Sequence, residues 1–407
     1  MKFDVVQLES TGIDVIDGDR GKNYPHQNEL LNTGFCLFLS AKNVTKLGFN
    51  FSETQFISQR KDTLLNNGKL KRGDIVITTR GTVGNVALYS PQIFYDNVRI
   101  NSGMLIIRCT NNISNQYLYQ VLRSEWFQKQ IMAVQSGSAQ PQLPKSHFLK
   151  MYIPLPSLPI QEKIASILQL IDDKVMTNNA INNNLEQQAQ AIFKSWFVDF
   201  DPFGGNRPID WITGIVDDLG AEIICGKTPS TKKKEYYGGN TPFITIPDMH
   251  GCVYNVSTER YLSAAGVASQ PKKTLPHNTV CISCIGTAGL VTLVSEKSQS
   301  NQQINSIVPK EGISAYYIYL LMQTLSETIN KLGQSGSTIV NLNKTQFGKI
   351  PVPIPSEQVL CNFDTLCKPL FEMILSNQKE NIKLANLRDT LLPKLMAGEL
   401  DVSDLDL

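Results

Sequence analysis

The sequence predicts an α+β protein in which two homologous mixed α/β domains are separated by two long helices, and the helices pair as an antiparallel coiled coil about a pseudo-twofold axis. Three observations predict it. The chain of 407 residues repeats itself. Each copy passes through β-branched strands, a helical stretch and a proline ladder in the same order. Each copy then ends in a long segment whose apolar residues recur at spacings of three and four.

The repeat fixes the domain plan. Shifted by 205 positions (80 to 285), Leu70–Gly84, "LKRGDIVITTRGTVG", falls on Leu275–Gly289, "LPHNTVCISCIGTAG", without a gap. Further along the shift becomes 199 (136 to 335), and Ser136–Ser157 falls on Ser335–Ser356. Segments such as "GFCLFLSAKNV", "DIVITTRG" and "GMLIIRC" read as short strands between Gly, Pro and Asn turns. "NQYLYQVLRSEWFQKQIMA" and "SAYYIYLLMQTLSETINKL" read as one helical stretch in each copy. "IPLPSLP" and "IPVPIPS" hold the chain extended before the long helices. The expected organisation is a first domain over 1–155, a spacer helix over 156–199, a linker over 200–211, a second domain over 212–354, a second spacer helix over 355–400 and a tail over 401–407.

Heptad spacing places Ile164, Ile167, Ile171, Asn178, Ile181, Leu185 and Ile192 on the seam of the first helix, interrupted by Lys174 and Gln188. In the second helix the seam is Phe363, Leu366, Leu370, Met373, Asn377, Leu384, Leu387 and Leu391. Asn178 and Asn377 coincide under the 199 shift and read as a register device, because an unpaired buried amide is costly. About 38 residues of helix span ~57 Å, longer than a small domain is wide, so each helix needs a partner beyond its own domain. The alternative is two amphipathic helices that each pack on their own domain. Pro369 predicts a kink or a later helix start, and Pro393 predicts fraying. The short linker Phe200–Trp211 starts the second domain near the far end of the first helix, so the second helix must run back to pair with it, which makes the pairing antiparallel.

Composition limits the chemistry. Hydrophobic residues are 42%, charged residues 18% and net charge +2, so a polyanion partner would have to be met by local basic patches. The N-terminus lacks a signal-peptide pattern and no run approaches ~20 apolar residues, so a cytoplasmic protein with no membrane partner and with reduced cysteines is expected. Cys281 and Cys284 form a lone CxxC, but the first copy has Val76 and Thr79 there, so no metal is expected. The 4 histidines are scattered. There is no GxxxxGK[ST] phosphate loop and no Asn/Asp-Pro-Pro-aromatic motif, since "DPF" at Asp201–Phe203 lacks the second proline. The expected chain binds and does not catalyse. Two related domains on a rigid spacer suit a target with two separated parts, of which duplex DNA is the natural candidate: the rod spans about 17 base-pair steps.

Several stretches then resemble the specificity subunit of type I restriction–modification systems. "IDGDRGKNYP" (Ile16–Pro25), "TTRGTVGN" and "RINSGMLIIR" resemble one lineage of that family's target recognition domains, and "GKTPSTKKKEYYGGNTPFITIPDM" (Gly226–Met249) resembles another. "IPLPSLPIQEKIASIL" and "IFKSWFVDFDPF" resemble its central region, and "LRDTLLPKLMAGEL" (Leu387–Leu400) its C-terminus. The resemblance implies a DNA specificity subunit reading a bipartite site, with helices that fix the gap and dock two methyltransferase subunits. It also implies restriction/motor subunits joining through that complex. S-adenosylmethionine and ATP would belong to those partners, leaving no cofactor on this chain. The halves differ most where readout would occur, so a non-palindromic site is expected, with a gap of roughly 5–8 base pairs. A non-catalytic protein-docking scaffold with incidental DNA binding stays open.

The candidate DNA contacts follow from residue type. Arg20, Lys22, Asn23 and Tyr24 lie on a glycine-rich loop; arginine can clamp guanine, asparagine can pair adenine, and lysine and tyrosine suit phosphates. Arg80, Thr82 and Asn85 belong to the repeated Gly-Thr-x-Gly loop, with Thr287 in the second copy. That loop serves architecture equally well. Ser136, Ser138, Gln140 and Gln142, with Ser335 and Ser337, lie on polar loops before the long helices and could be simple connectors. Lys227, Thr228, Lys232, Lys233, Lys234, Tyr236 and Tyr237 form a basic loop with aromatics, suited to phosphate positioning.

Overall fold

A computed structural model describes residues 3–46, 48–135, 142–334, 341–403 and 405. The chain divides into two compact units, Met1–Asp173 with Leu384–Leu407 and Lys174–Lys383. Each unit therefore holds one α/β lobe and a stretch of both long helices. The spacer helices are not separate bodies, because the core of each unit takes in residues of both.

The two lobes repeat one topology. In the first, an antiparallel sheet runs in the order Asp14–Asp17, Met104–Arg108, Ile75–Thr78, Val86–Leu88. In the second, the order is Gly220–Cys225, Ile304–Pro309, Val280–Ser283, Val291–Val294, with Tyr254–Asn255 added in parallel at the edge. A three-stranded sheet accompanies each: Phe56–Ile57, Cys36–Leu39, Val98–Ile100, and Arg260–Leu262, Tyr237–Ile244, Gln299–Ser300. The proline ladders form small sheets, Tyr152–Pro154 on Val5–Gln7 and Pro351–Ile354 on Ile212–Ile215. Proline suits these two-stranded edges, where one side of the strand needs no ladder partner.

The helical stretch of each lobe is two helices where the sequence suggests one. Asn115–Arg123 and Glu125–Gln135 break at Ser124, whose hydroxyl accepts from the Phe127 amide at 3.1 Å. A serine that caps its own downstream turn offers the backbone an alternative to continuing the helix. In the second lobe the pair is Ala315–Thr324 and Ser326–Gln334.

The long helices are Leu158–Phe197 and Glu357–Met396, 40 residues each. The second starts well before Pro369 and runs through it and Pro393 without interruption. Both prolines sit on the exposed face. In the second unit the two helices pair antiparallel: Asn178 Nδ2 donates to Asn381 Oδ1 at 2.9 Å, and Asn377 Nδ2 donates to Asn182 Oδ1 at 2.9 Å. The two pairs are images of one another under the 199 shift (178 to 377, 182 to 381). Asn178 and Asn377 are both buried; Asn178 meets Asn381 and Asn377 meets Asn182, so the two do not pair with each other. In the first unit the same antiparallel sense continues, with Arg388 on Asp172 at 3.3 Å.

The seam itself needs correction. Ile181, Leu366, Met373 and Leu387 are 41 to 51% exposed and lie outside it. Ile167 is half-buried and packs on the first lobe's core. The row at Ile164, Ile171, Asn178, Leu185 and Ile192 holds, as does Phe363, Leu370, Asn377, Leu384 and Leu391; all are buried or half-buried. The second row lies four residues on and not three: Leu168, Val175, Asn182, Ala189 and Trp196 in one helix, Leu360, Cys367, Ile374, Asn381, Arg388 and Leu395 in the other. That row carries neither Lys174 nor Gln188, which is why the expected seam looked interrupted.

Two other expectations change. The stretch 200–211 is no free linker: Phe200, Phe203 and Trp211 join Trp196 and Phe197 in an aromatic cluster of the second unit's core. The tail is tied down by Val402, buried in the first unit's core beside Leu392 and Leu395.

Candidate nucleic-acid interface

In each lobe three loops converge on one turn. The first lobe's turn is Asn101–Gly103, and its counterpart is Asn301–Gln303. Asn101 and Asn301 each fold their side-chain oxygen onto a backbone N–H two residues on, of Gly103 at 2.9 Å and Gln303 at 3.1 Å. The Asx turn holds the peptide open on its outer side.

The first loop leaves the outer strand of the main sheet. Asp17 pairs with Leu105 and Cys225 with Asn305. A glycine follows each, Gly18 and Gly226. A Cβ at either would lie 2.1 or 2.0 Å from the carbonyl oxygen of Asn101 or Asn301, so only glycine fits. "GDRGKNYP" and "GKTPSTKKKEYY" thus depart from one topological position. Their side chains differ. In the first, Arg20 and Lys22 are exposed, Arg20 pairing with Asp17 at 3.1 Å. Asn23 and Tyr24 are engaged internally, Asn23 donating to the Leu64 carbonyl at 3.1 Å and Tyr24 packing edge-on to Phe38.

In the second, Lys227, Lys232, Lys233 and Lys234 are exposed. Lys233 reaches Tyr236 at 3.0 Å, and that hydroxyl raises its pKa further, so it stays charged. Thr228 donates to Gln302 Oε1 at 2.7 Å, and the Tyr237 hydroxyl donates to the Pro229 carbonyl at 2.7 Å. Gln302 is exposed on the turn and Gln303 half-buried. Sequence reading misses both, because neither carries charge or a motif.

The second loop is the repeated Gly-Thr-x-Gly. Gly81 and Gly84 have φ of +73° and +95°, Gly286 and Gly289 +77° and +87°. Left-handed backbone at both positions explains why both copies keep glycine there. Arg80, Thr82 and Thr287 are exposed, whereas Asn85 donates to the Val44 carbonyl at 2.9 Å. The third segment closes the site. Arg80 bridges exposed Gln142, and Ile285 bridges Asn341. Ser136, Ser138, Gln140, Ser335 and Ser337 lie outside the described residues.

Arg80 N donates to the Gly103 carbonyl at 3.2 Å, so the repeated loop and the turn are in direct contact. The outcome in the first lobe is an exposed group of Arg20, Lys22, Arg80, Thr82 and Gln142. In the second it is Lys227, Lys232, Lys233, Thr287 and Gln302. Exposed cations and amides on a hydrogen-bonded backbone frame suit phosphates and base edges. Among the described residues no cluster of three His, Cys, Asp or Glu could hold a metal. Cys281 and Cys284 point to different cores, and burial pushes both thiols up to about 12. No helix among the described residues is long and apolar enough to cross a membrane.

Residues 11–187 and 208–362 match the family described as type I restriction modification DNA specificity domain. The specificity subunit of the type I restriction enzyme HindI of Haemophilus influenzae is 33% identical over 404 residues, covering 81% of this chain and 87% of the relative. The MjaIX specificity subunit of Methanocaldococcus jannaschii is 25% identical over 350 residues, covering 82% and 79%. The crystal structure of a type I restriction–modification S subunit from M. genitalium shares the fold, with a TM-score of 0.58 at 16% identity over 99% of this chain and 97% of that one. Two lobes of one topology, each presenting an exposed polar surface, and family matches over both halves lead to one conclusion: the chain belongs to the specificity subunits of type I restriction–modification systems, as a non-enzymatic recognition subunit.

Proposed function

We propose that each lobe reads one part of a split, non-palindromic DNA sequence through its three converging loops. One observation carries this reading: a single topological position presents Arg20 and Lys22 in one lobe and Lys227 and Lys232 in the other, on frames whose backbone contacts match. Unlike side chains on like frames read unlike half-sites. The paired helices dock two methyltransferase subunits, and restriction/motor subunits join through them. S-adenosylmethionine and ATP bind those partners, in the cytoplasm, and this chain carries no cofactor.

Selection from random-sequence duplex pools, with and without methyltransferase subunits, tests it. A two-part motif with unlike halves supports the reading, and no enrichment under either condition refutes it. Alanine at Arg20 and Lys22 should alter one half, and alanine at Lys227 and Lys232 the other. Each lost phosphate contact should also lower the salt slope by about 1.

A further inference from the structure

Behind each DNA-facing loop lies a buried polar network that the contact surface does not use. In the first lobe it centres on Arg99, 6% exposed on the strand Val98–Ile100 opposite Phe38. Its guanidinium donates to Asp62 Oδ1 at 2.6 Å and to the carbonyls of Asp62, Leu65 and Asn67 at 2.9, 3.0 and 2.6 Å. It therefore caps the carbonyl end of the short helix Gln59–Leu64. Lys69 closes the second Asp62 oxygen at 2.8 Å. The peptide that follows, at Asn66 and Asn67, donates its N–H groups to Asp19 Oδ2 at 2.8 and 3.4 Å, while Asp19 Oδ1 accepts from Gly21 N at 2.8 Å. Asp19 is buried and lies inside the loop that carries Arg20 and Lys22.

The second lobe builds the same link from carboxamides. Gln299 stands opposite Phe243, as Arg99 stands opposite Phe38 (shifts of 200 and 205). Its Nε2 donates to the carbonyls of Val267 and Gln270 at 3.3 and 3.2 Å, at the end of the short helix Ala264–Ala268. Gln270 Nε2 donates back to Gln299 Oε1 at 2.8 Å and onward to the Lys227 carbonyl at 2.7 Å. Gln299 is fully buried and Gln270 nearly so. In both lobes the chain of bonds runs from a strand residue, through the end of a short helix, into the loop bearing the exposed cations.

We propose that Arg99 and Gln299 are positioning residues for DNA reading, each fixing the reading loop of its own lobe. This rests on the reading of those loops as DNA contacts. An ionic link holds the first loop and a neutral one the second. Neither side chain reaches the surface, so neither touches DNA; each acts through the loop it anchors. Specificity requires the contacting groups to be held in place, so loosening one anchor blurs one half-site and leaves the other intact.

The test uses the full chain with its methyltransferase subunits. Wild type, R99Q, R99K, Q299L and the R20A/K22A double variant pass through selection from random duplex pools, and thermal unfolding is followed in parallel. R99Q should reduce enrichment at one half-site by about tenfold, the scale of one mismatched base pair. R99K, which keeps the charge, should fall between R99Q and wild type. Q299L should blur the opposite half-site. Equal weakening of both half-sites in step with a lower unfolding temperature overturns the proposal, as does no change at either. If R20A/K22A alters a half-site and R99Q does not, the loop reading stands and the anchor fails. If neither alters one, the loop reading itself fails. Should R99Q not fold, D19N perturbs the same loop from its own end and must blur the same half-site.

Discussion

Replacing Ile374 by alanine should destabilise the second unit by about 3 kcal/mol, whereas the same change at its neighbour Met373 should cost well under 1 kcal/mol. The two residues are adjacent in sequence and similar in size and hydrophobicity. They differ in which heptad row they occupy: Ile374 is fully buried, and Met373 is 51% exposed. Deleting a fully buried Ile side chain to Cβ removes three carbons from the core and leaves a cavity, for which 2–5 kcal/mol is usual, roughly. The unit spans residues 174 to 383, which is 210 residues. At that size each kcal/mol moves the unfolding temperature by about 2–4 °C, so I374A should unfold about 6–12 °C early. Scanning calorimetry of the full chain is the assay, because it resolves two units as separate transitions where a single probe would merge them. Comparable losses at both positions, or a larger one at Met373, would refute the four-residue step between rows and restore the seam through Leu366, Met373 and Leu387.

Three further outcomes follow from particular contacts. N178A and N381A should each cost about 1–2 kcal/mol and the double variant less than their sum, because the second loss no longer strands a buried amide; strictly additive losses would show the pair does not interact. Asp172 is desolvated by burial, which alone would raise its pKa, but Arg123, Gln120 and Arg388 hold it below the ordinary carboxylate range. A depressed folded pKa gives stability that is present above the unfolded value and lost as pH falls through the folded one. D172N should therefore cost about 2 kcal/mol near pH 7 and progressively less below about pH 4, and an unchanged gap at pH 3 in urea titrations contradicts the ion pairing. G286A should cost about 1 kcal/mol for left-handed strain alone, and G289A at least twice that, since its Cβ would lie 2.3 Å from Ser326 Oγ; equal losses in thermal melts would remove the packing argument.

Parts of this architecture are legible in sequence for a physical reason. A heptad row kept over 40 residues leaves a period that no local context hides, so Ile164, Ile171, Asn178 and Leu185 announce themselves. The companion row is harder. Residues three and four positions on both offer apolar side chains, Ile167 and Ile181 against Leu168 and Val175. A helix that meets both a partner and a lobe has apolar residues on more than one stripe. Lys174 and Gln188 on the rejected row carried the signal, because a long solvated side chain is poorly placed at a seam. The heptad spacing puts Asn178 and Asn377 where the helices meet, but each one's partner depends on which row it faces, and pairing Asn178 with Asn381 needed the row to be right. The aromatic cluster around Trp211 hid behind glycines and prolines that resemble a linker.

The site shows a different kind of concealment. The cation-bearing loops of the two lobes occupy one position, yet the step from Asp17 to Cys225 is 208 residues while the flanking repeat steps by 205, so alignment slides past their equivalence. Residue chemistry does not repair this, since "DRGKNY" and "KTPSTKKK" share almost nothing. The strand register at Asp17 and Cys225 and the packing of Gly18 and Gly226 on the carbonyls of Asn101 and Asn301 reveal the match.

That packing also explains why such loops can diverge. The frame around each site is held by main-chain bonds: Thr79 N to the Gly103 carbonyl at 2.7 Å and Cys284 N to the Gln303 carbonyl at 2.8 Å, Leu143 N to the Thr79 carbonyl at 3.0 Å and Leu342 N to the Cys284 carbonyl at 2.9 Å. Backbone bonds of this kind are indifferent to the side chains of Thr79 or Cys284, Gly103 or Gln303. The glycines are the exception, because left-handed φ and close approach admit nothing larger. A frame so built constrains a few glycines and asparagines and leaves the outward residues free, so Arg80 can become Ile285 with the bridge to the next segment unchanged. The outward side chains can vary at little cost to folding, which is what the proposed reading of unlike half-sites requires of them.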